Sequence, residues 1–158
     1  MSSDYKSHGL LLKNFIKSLQ DLRIAGIATN KKDFTSQVGE WLVAEIYGGS
    51  LALNSIQKDW DLIADGKHIQ VKSHAKSDTN TNRKTRLQYD ESSTIDELII
   101  VIFTQDYMLK EFYSISWPEA YQLISHNKAG GEIYWNRLKD YKVNLDDLPN
   151  RHVVDLFL

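Results

Sequence analysis

Residues 59–73, DWDLIADGKHIQVKS, decide the fold of this chain because they predict a β-hairpin. Asp-Gly at positions 65 and 66 separates two runs, 60–64 and 67–73, in which apolar and polar residues alternate. Asp-Gly between such runs is a strong signal for a two-residue turn, since both residues accept the left-handed conformation that this turn requires. The stretch therefore predicts two antiparallel strands.

Three polar side chains should meet on one face of this hairpin. Counting outward from the turn pairs Asp61 with Gln70, and Lys72 projects from the same face as Gln70 because side chains two apart on a strand share a side. A carboxylate, an amide and an ammonium would be costly on the inner face of a strand pair unless they are paired. We therefore predict a site formed by these three residues.

The chain before the hairpin predicts two helices. Residues 8–24 have apolar side chains at steps of three and four, at Leu11, Phe15, Leu19 and Leu22, which is typical of a helix with one buried face. The second helix begins with Thr35 or Ser36 as the N-cap and ends at Gly48-Gly49.

After the hairpin, the pattern changes between polar and apolar segments. Residues 73–94 predict a long surface loop, with a short element near residues 86–89. The run ELIIVIFT at 97–104 predicts a strand buried on both faces, with residues 111–116 as its hairpin partner. A helix follows from Trp117 to about Ser125. Short strands are also predicted at 51–56 and at the end of the chain, HVVDLFL (152–158).

These elements predict a single α/β or α+β domain with a central mixed sheet of four to five strands flanked by helices. The length of 158 residues, with 42% apolar and 25% charged residues, fits one globular domain. The absence of cysteine excludes disulfides and is compatible with a reducing cytoplasm, where we expect the protein. No secretory signal or membrane-spanning segment is recognisable, so we expect no membrane partner.

The chemistry of the hairpin face favours metal-assisted hydrolysis of a phosphodiester. A carboxylate from Asp61, a carbonyl oxygen from Gln70 and the main-chain carbonyl of Val71 suit a hard cation such as Mg²⁺. The Lys72 ammonium is no ligand while charged, but it can orient water or stabilise negative charge in a transition state.

The pattern Glu40 in a helix, Asp61 on a strand, then Gln70-Val71-Lys72 resembles the PD-(D/E)xK nuclease superfamily, in the variant of Mrr-like restriction endonucleases where Gln replaces the second acid. The resemblance implies that Glu40, Asp61, Gln70 and Lys72 form the catalytic site. It implies metal ligation by Asp61, Gln70, Val71 and Glu40, with Mg²⁺ as the cofactor and Mn²⁺ as a substitute.

The resemblance also implies a restriction endonuclease-like core: a helix, a three-stranded antiparallel meander, a second helix and a fourth strand, mapped onto residues 35–104. Trp60 stands where the family name has Pro, and the polar segment 75–94 stands where the second helix would be. Within a single nuclease-like domain of residues 1–158, we expect an N-terminal helix at 1–30, a catalytic core at 35–126 and a C-terminal extension at 127–158.

Local charge favours a nucleic-acid partner although the formal net charge is −2. Basic residues are concentrated between positions 67 and 86, and we predict DNA contacts from Lys76, Arg83, Lys84 and Arg86, the last three in a flexible loop that becomes ordered on the duplex. Among the histidines, only His74 lies close enough to Lys72 to be of interest.

The sequence thus predicts a Mg²⁺-dependent DNA endonuclease of the restriction type that acts as a homodimer on double-stranded DNA. Two alternatives remain: a Holliday-junction resolvase with the same chemistry, and a catalytically inactive DNA-binding or partner-binding module. At the residue level, the hairpin face could simply be solvated, and Glu40 could be present because an acid stabilises a helix N-terminus.

Overall fold

The computed structural model describes residues 4–28, 33–52, 59–76 and 81–158. The helices in this part are α1 (Asp4–Ile24), α2 (Phe34–Tyr47), α3 (Trp117–Leu123) and α4 (Arg151–Val154). The strands are β1 (Ser50–Leu51), β2 (Leu62–Ala64), β3 (Lys67–His74), β4 (Lys84–Gln88), β5 (Glu97–Phe103), β6 (Leu109–Ser116), β7 (Ser125–Asn127) and β8 (Gly130–Tyr134).

Within the described residues, five strands form a mixed sheet in the order β1-β2-β3-β5-β6. Strands β3 and β5 are parallel, and the other neighbours are antiparallel. The predicted mixed sheet with flanking helices is therefore confirmed, and the protein is α+β. The predicted strand at 51–56 is represented by β1, while residues 53–58 lie outside the described ranges.

The central hairpin has the predicted register. Ala64 pairs with Lys67, Ile63 with His68 and Leu62 with Ile69. Asp65 and Gly66 have φ angles of 50° and 75°, as expected for the two central residues of a type I′ turn. The turn residues thus fix which side chains of β3 face each layer.

Strand β5 is buried on both faces, as predicted from its continuous apolar run. Ile99, Val101 and Phe103 belong to the core cluster that also contains Leu42 and Val43 of α2. Leu98, Ile100 and Ile102 belong to a second cluster with Leu87, Ile133 and Trp135. The main sheet is therefore covered by α2 on one side and by a second layer on the other.

The second layer corrects the prediction of a long surface loop at 73–94, of which residues 77–80 lie outside the described ranges. The short element predicted near residues 86–89 is present as β4. In the described chain, β4, β8 and β7 form a three-stranded sheet, with Leu87 paired to Gly131 and Thr85 to Ile133. Thr85 and Leu87 are buried while their neighbours in β4 point outward. The polar segment forms a strand because its two inward positions are enough to cover the β5 core once β8 provides the backbone partners.

The start of α2 differs from the predicted N-cap at Thr35 or Ser36. Asp33 is the N-cap, and its Oδ1 accepts a 2.9 Å hydrogen bond from the main-chain N–H of Ser36. A carboxylate is a strong cap because it both accepts this bond and complements the helix dipole. The predicted stop is confirmed, since Gly48 has a φ of 63°.

The helix predicted at 8–24 is present as α1, but its predicted burial is wrong. Leu11 and Phe15 are 65% and 59% exposed. Apolar spacing establishes that a helix has an apolar face, but it does not establish which surface covers that face.

The predicted terminal edge strand at 152–158 is also wrong. Residues Arg151–Val154 form α4, and Asp155–Phe157 form a 3₁₀ turn. Arg151 pairs with Asp155 through Nε and Oδ1 at 2.8 Å, a helical i,i+4 spacing, and Val154 is buried in the α2 cluster. This spacing suits helix rather than strand. No helix in the described ranges has the length and apolar character needed to cross a membrane.

Candidate active site at the β2–β3 hairpin

The Asp61 carboxylate lies between β2 and β3. Its Oδ2 accepts a 2.9 Å hydrogen bond from Nε2 of Gln70 and a 2.8 Å hydrogen bond from the main-chain N–H of Val71. Strand β2 begins one residue later, at Leu62, and Asp59 has a positive φ of 76°. The Asp61 side chain therefore accepts a main-chain hydrogen bond from β3 at the position just before β2 begins.

Asp61, Gln70 and Lys72 line one open cavity of about 660 Å³. The cavity is also bordered by Trp60 and, from distant parts of the chain, by Tyr89, Asp90 and Lys128. The predicted grouping of three polar side chains on one face is thus present, next to residues after β4 and in the β7–β8 turn. No sequence pattern predicts that Lys128 lies near the hairpin, because this proximity results from the pairing of two strands about 40 residues apart in the chain.

Lys72 has a distinctive environment. It is half-buried, and its side chain makes no hydrogen bond or ion pair with any residue in the part of the chain that the structure describes. It also lines a neighbouring cavity of about 380 Å³ together with His74, Lys84 and Arg86. A lysine ammonium that faces two open cavities and forms no ion pair with the acids of the described segments is available to an anion.

Glu40 is half-buried on α2 and does not line the cavity that contains Asp61. Helix α2 approaches the other face of β3, where Gly39 lies against Ser73. Ser36, one turn before Glu40, lines the smaller cavity shared by Lys72 and His74. The roles of Glu40 in catalysis and metal binding remain predictions.

His74 lies on the same face of β3 as Lys72. Its Nε2 is 2.8 Å from Oγ1 of Thr85, which also accepts a 2.8 Å hydrogen bond from Nε1 of Trp135. Burial, with the nearby charge of Lys72 as a second cause, lowers the pKa of His74 from 6.5 to about 4. The histidine is therefore neutral at physiological pH, and it connects the main sheet to the second layer.

The predicted DNA-binding residues are mostly held in ion pairs. Arg83 contacts Glu111 at 3.0 Å, and Lys84 and Arg86 contact Glu132 at 3.1 and 3.5 Å. Lys84 and Arg86 lie in β4, so the prediction that they belong to a flexible loop is wrong. Lys76 is exposed. Acidic partners weaken the positive potential of this surface, and DNA contact by these four residues remains a prediction.

The donor atoms of the hairpin fit a divalent cation in type but not in number. Asp61 and Gln70 offer hard oxygen atoms. The hydrogen bonds that Gln70 and Val71 donate to Asp61 both reach Oδ2, and Gln70 donates through its nitrogen. Among the described residues, no group of three or more His, Cys, Asp or Glu side chains is arranged to hold a metal ion. A cation here would need water or substrate oxygens to complete its coordination.

No model of a known protein family matches this chain, and no curated protein matches it either. The chemical capacity of the site is therefore argued from its own geometry. The Asp61 carboxylate, the Gln70 amide and the Lys72 ammonium line one open cavity, together with two further acids, Asp59 and Asp90, and a second lysine, Lys128.

Proposed function

We propose that this protein is a Mg²⁺-dependent DNA endonuclease with a restriction endonuclease-like core. The observation that carries the proposal is the convergence of Asp61, Gln70 and the Lys72 ammonium in one open cavity. Hydrolysis of a phosphodiester requires stabilisation of negative charge on the phosphate, and an ammonium beside a carboxylate-bound cation provides it.

The topology supports the proposal in most of its parts. Helix α2, the antiparallel β1–β2–β3 meander and the parallel strand β5 follow the order expected for that core. The departure is the connection between β3 and β5, where β4 of the second sheet stands in place of a helix. The similarity therefore covers the elements that carry Asp61 and Lys72 rather than the whole arrangement.

Each residue would have a distinct part in the reaction. Asp61 and Gln70, with the carbonyl of Val71, would hold the cation, which supplies Lewis-acid activation when bound. Lys72 would orient the attacking water and stabilise charge on the phosphate. The hydrogen bond from Gln70 to Asp61 keeps the carboxylate aimed at the cavity. Glu40 would assist from α2, and Mn²⁺ would substitute for Mg²⁺.

The proposed substrate is double-stranded DNA, cut by a homodimer because two antiparallel strands offer two related targets. A Holliday-junction resolvase would use the same residues on branched DNA. One observation favours a second candidate, a noncatalytic DNA-binding module: Asp61 accepts the Val71 N–H and so has a structural task that does not require catalysis.

A nicking assay on supercoiled plasmid tests the proposal. Cleavage should require Mg²⁺ or Mn²⁺ and should stop on addition of EDTA. The same assay on linear and on four-way DNA separates restriction-type from junction activity. Binding to DNA without cleavage of any substrate under these conditions would support the noncatalytic module and reject the nuclease.

A further inference from the structure

An aromatic cavity of about 580 Å³ lies beside the candidate active site. The rings of Trp117 and Tyr121 are 5.3 and 5.8 Å from Tyr89, measured between ring centroids, and the ring of His126 is 4.3 Å from Tyr121. Tyr89 also hydrogen-bonds His126 through its hydroxyl, and His126 contacts the main-chain carbonyl of Tyr121 at 2.9 Å. These contacts hold the rings in a fixed arrangement.

The aromatic cavity is continuous with the candidate active site. Tyr89, Asp90 and Lys128 line both cavities. The loop after β4 is joined to the residues before β2 by a 2.8 Å hydrogen bond from Ser93 Oγ to Asp59 Oδ2. A polymer bound across Asp61 and Lys72 would therefore extend directly into the aromatic cavity.

The cavity combines an accessible ring with polar groups at its edge. Tyr121 is 48% exposed. Glu91 and Asn127 also line the cavity. The Oδ1 of Asn127 accepts a 3.0 Å hydrogen bond from the N–H of Ala129, so this bond does not use the amide nitrogen. An aromatic face with a carboxylate and an amide beside it can stack a heterocycle and bind its edge.

We propose that this cavity binds one unstacked nucleobase of the strand whose phosphate lies at Lys72. The inference rests on the proposed function, and it adds a subsite that contacts the base beside the scissile phosphate. Tyr121 provides the stacking surface, and Glu91 accepts a hydrogen bond from the exocyclic amino group of adenine, cytosine or guanine. Thymine lacks that group and binds more weakly.

The continuity with the candidate active site favours a nucleobase as the occupant. The charges at the boundary are mixed, since Lys128 and Asp90 line both cavities, Glu91 lines the aromatic cavity and Lys72 lies in the adjoining one. A phosphate beside the bound base contacts Lys72 and Lys128. Because aromatic rings with nearby carboxylates also bind alkylated ammonium groups, the test below includes a cationic peptide.

A base in this cavity cannot remain stacked in a continuous duplex. The protein should therefore bind single-stranded DNA, or duplex DNA with a mismatch at the subsite, more tightly than a fully paired duplex, since unpairing costs a few kcal/mol in the duplex.

Fluorescence anisotropy of the full chain with a short labelled single strand, in EDTA to prevent cleavage, tests the subsite. Tyr121→Ala should weaken binding by roughly 5-fold or more, the effect of losing one base–aromatic stack. Tyr121→Phe keeps the ring and should restore affinity to within about 2-fold of the wild type on the same scale. Leu156→Ala, at another exposed apolar side chain, serves as the matched control.

A ligand-side variant makes the test independent of protein folding. A strand in which every base is replaced by an abasic residue should bind the wild-type protein several-fold more weakly than the intact strand does. The Tyr121→Ala and wild-type proteins should bind this abasic strand with equal affinity. Equal affinity of the Tyr121→Ala and wild-type proteins for the intact strand, or Tyr121-dependent binding of a trimethyllysine peptide with none of DNA, would overturn the proposal.

The two proposals fail in different ways. If the plasmid is cleaved but Tyr121→Ala binds the single strand as wild type does, the nuclease stands and the base subsite is rejected. If no DNA is cleaved but binding depends on Tyr121, the subsite stands and the catalytic assignment is rejected.

Discussion

Gln70 donates a hydrogen bond from Nε2 to Oδ2 of Asp61 over 2.9 Å, and this contact joins the two oxygen-bearing side chains of the candidate site. Gln70 is almost fully buried, while Asp61 is half-buried at the edge of the cavity. The amide thus holds the carboxylate in place from the protein side. Because the same carboxylate oxygen also accepts the Val71 N–H, structural and chemical roles overlap at Asp61 and must be separated by experiment.

Substitution of Asp61 by Asn and by Ala separates these roles. Asp61→Asn retains a carbonyl oxygen for Val71 and Gln70, so its free energy of unfolding should stay within about 1 kcal/mol of wild type, while cleavage is lost. Asp61→Ala leaves a buried N–H without its acceptor and should lower that free energy by about 1–3 kcal/mol. Urea denaturation and plasmid nicking measure the two effects. Full cleavage by Asp61→Asn would contradict the catalytic assignment.

Lys72→Ala should reduce cleavage by about 10²–10³-fold, because the ammonium acts on charge that develops in the transition state. DNA affinity should change much less, as one phosphate contact among several is lost. Lys110→Ala is the matched control, since Lys110 is exposed on β6. Cleavage by Lys72→Ala at the rate of the Lys110→Ala protein would remove lysine 72 from the mechanism.

The free protein should bind Mg²⁺ weakly. Two unit charges about 4 Å apart interact by roughly 4 kcal/mol at an effective dielectric near 20, so replacing a second acid by Gln70 removes a substantial attraction. Isothermal titration calorimetry should show metal binding that becomes stronger when uncleavable DNA is present, because phosphate oxygens then join the coordination. Tight Mg²⁺ binding without DNA would show that the ligand set is larger than Asp61, Gln70 and Val71.

Gly39→Ala should destabilise the contact between α2 and β3. A Cβ at this position would lie 1.7 Å from Oγ and 2.7 Å from Cβ of Ser73. Separating the helix from the strand should cost about 1–3 kcal/mol of the free energy of unfolding. Ser73→Gly removes both clashing atoms, so the double variant should be more stable than Gly39→Ala alone. Additive losses in this double-mutant cycle would mean that the two residues do not touch.

The protein should lose stability as the pH falls from about 6.5 to about 4, in part through His74. Its pKa is depressed in the folded state, so in this window the unfolded chain binds a proton that the folded protein does not, and protons favour unfolding. The full shift corresponds to roughly 3 kcal/mol, reached near pH 4. His74→Gln should flatten this slope in urea denaturation.

Local sequence signals predicted the centre of this fold well. Asp65-Gly66 determined the hairpin register, and that register alone placed Asp61 opposite Gln70. The second sheet was not predictable in the same way, because β4 reads as a polar segment and β8 begins with two glycines. Their pairing is evident only from the structure, in which these two strands cover the apolar face of β5 that carries Leu98 and Ile100.

The aromatic cavity and the ion pairs could not be inferred for the same reason. Tyr89, Tyr121 and His126 are separated along the chain, and their proximity depends on the pairing of β4 with β8. Glu111 and Glu132 likewise reach Arg83 and Lys84 from strands distant in sequence.

Apolar periodicity predicted α1 correctly as a helix but predicted its burial wrongly, because the period of apolar residues does not identify the surface that covers them.

The pairing of β4 with β8 has a consequence for how the protein matures on the ribosome. The backbone groups of residues 84–88 can pair only after residues 130–134 have been synthesised. The hairpin at 62–74 is complete much earlier in translation. A nascent chain released before β8 would expose the apolar side of β5 and lack one wall of the cavity around Lys72. A chain that ends before β8 should therefore be prone to aggregation.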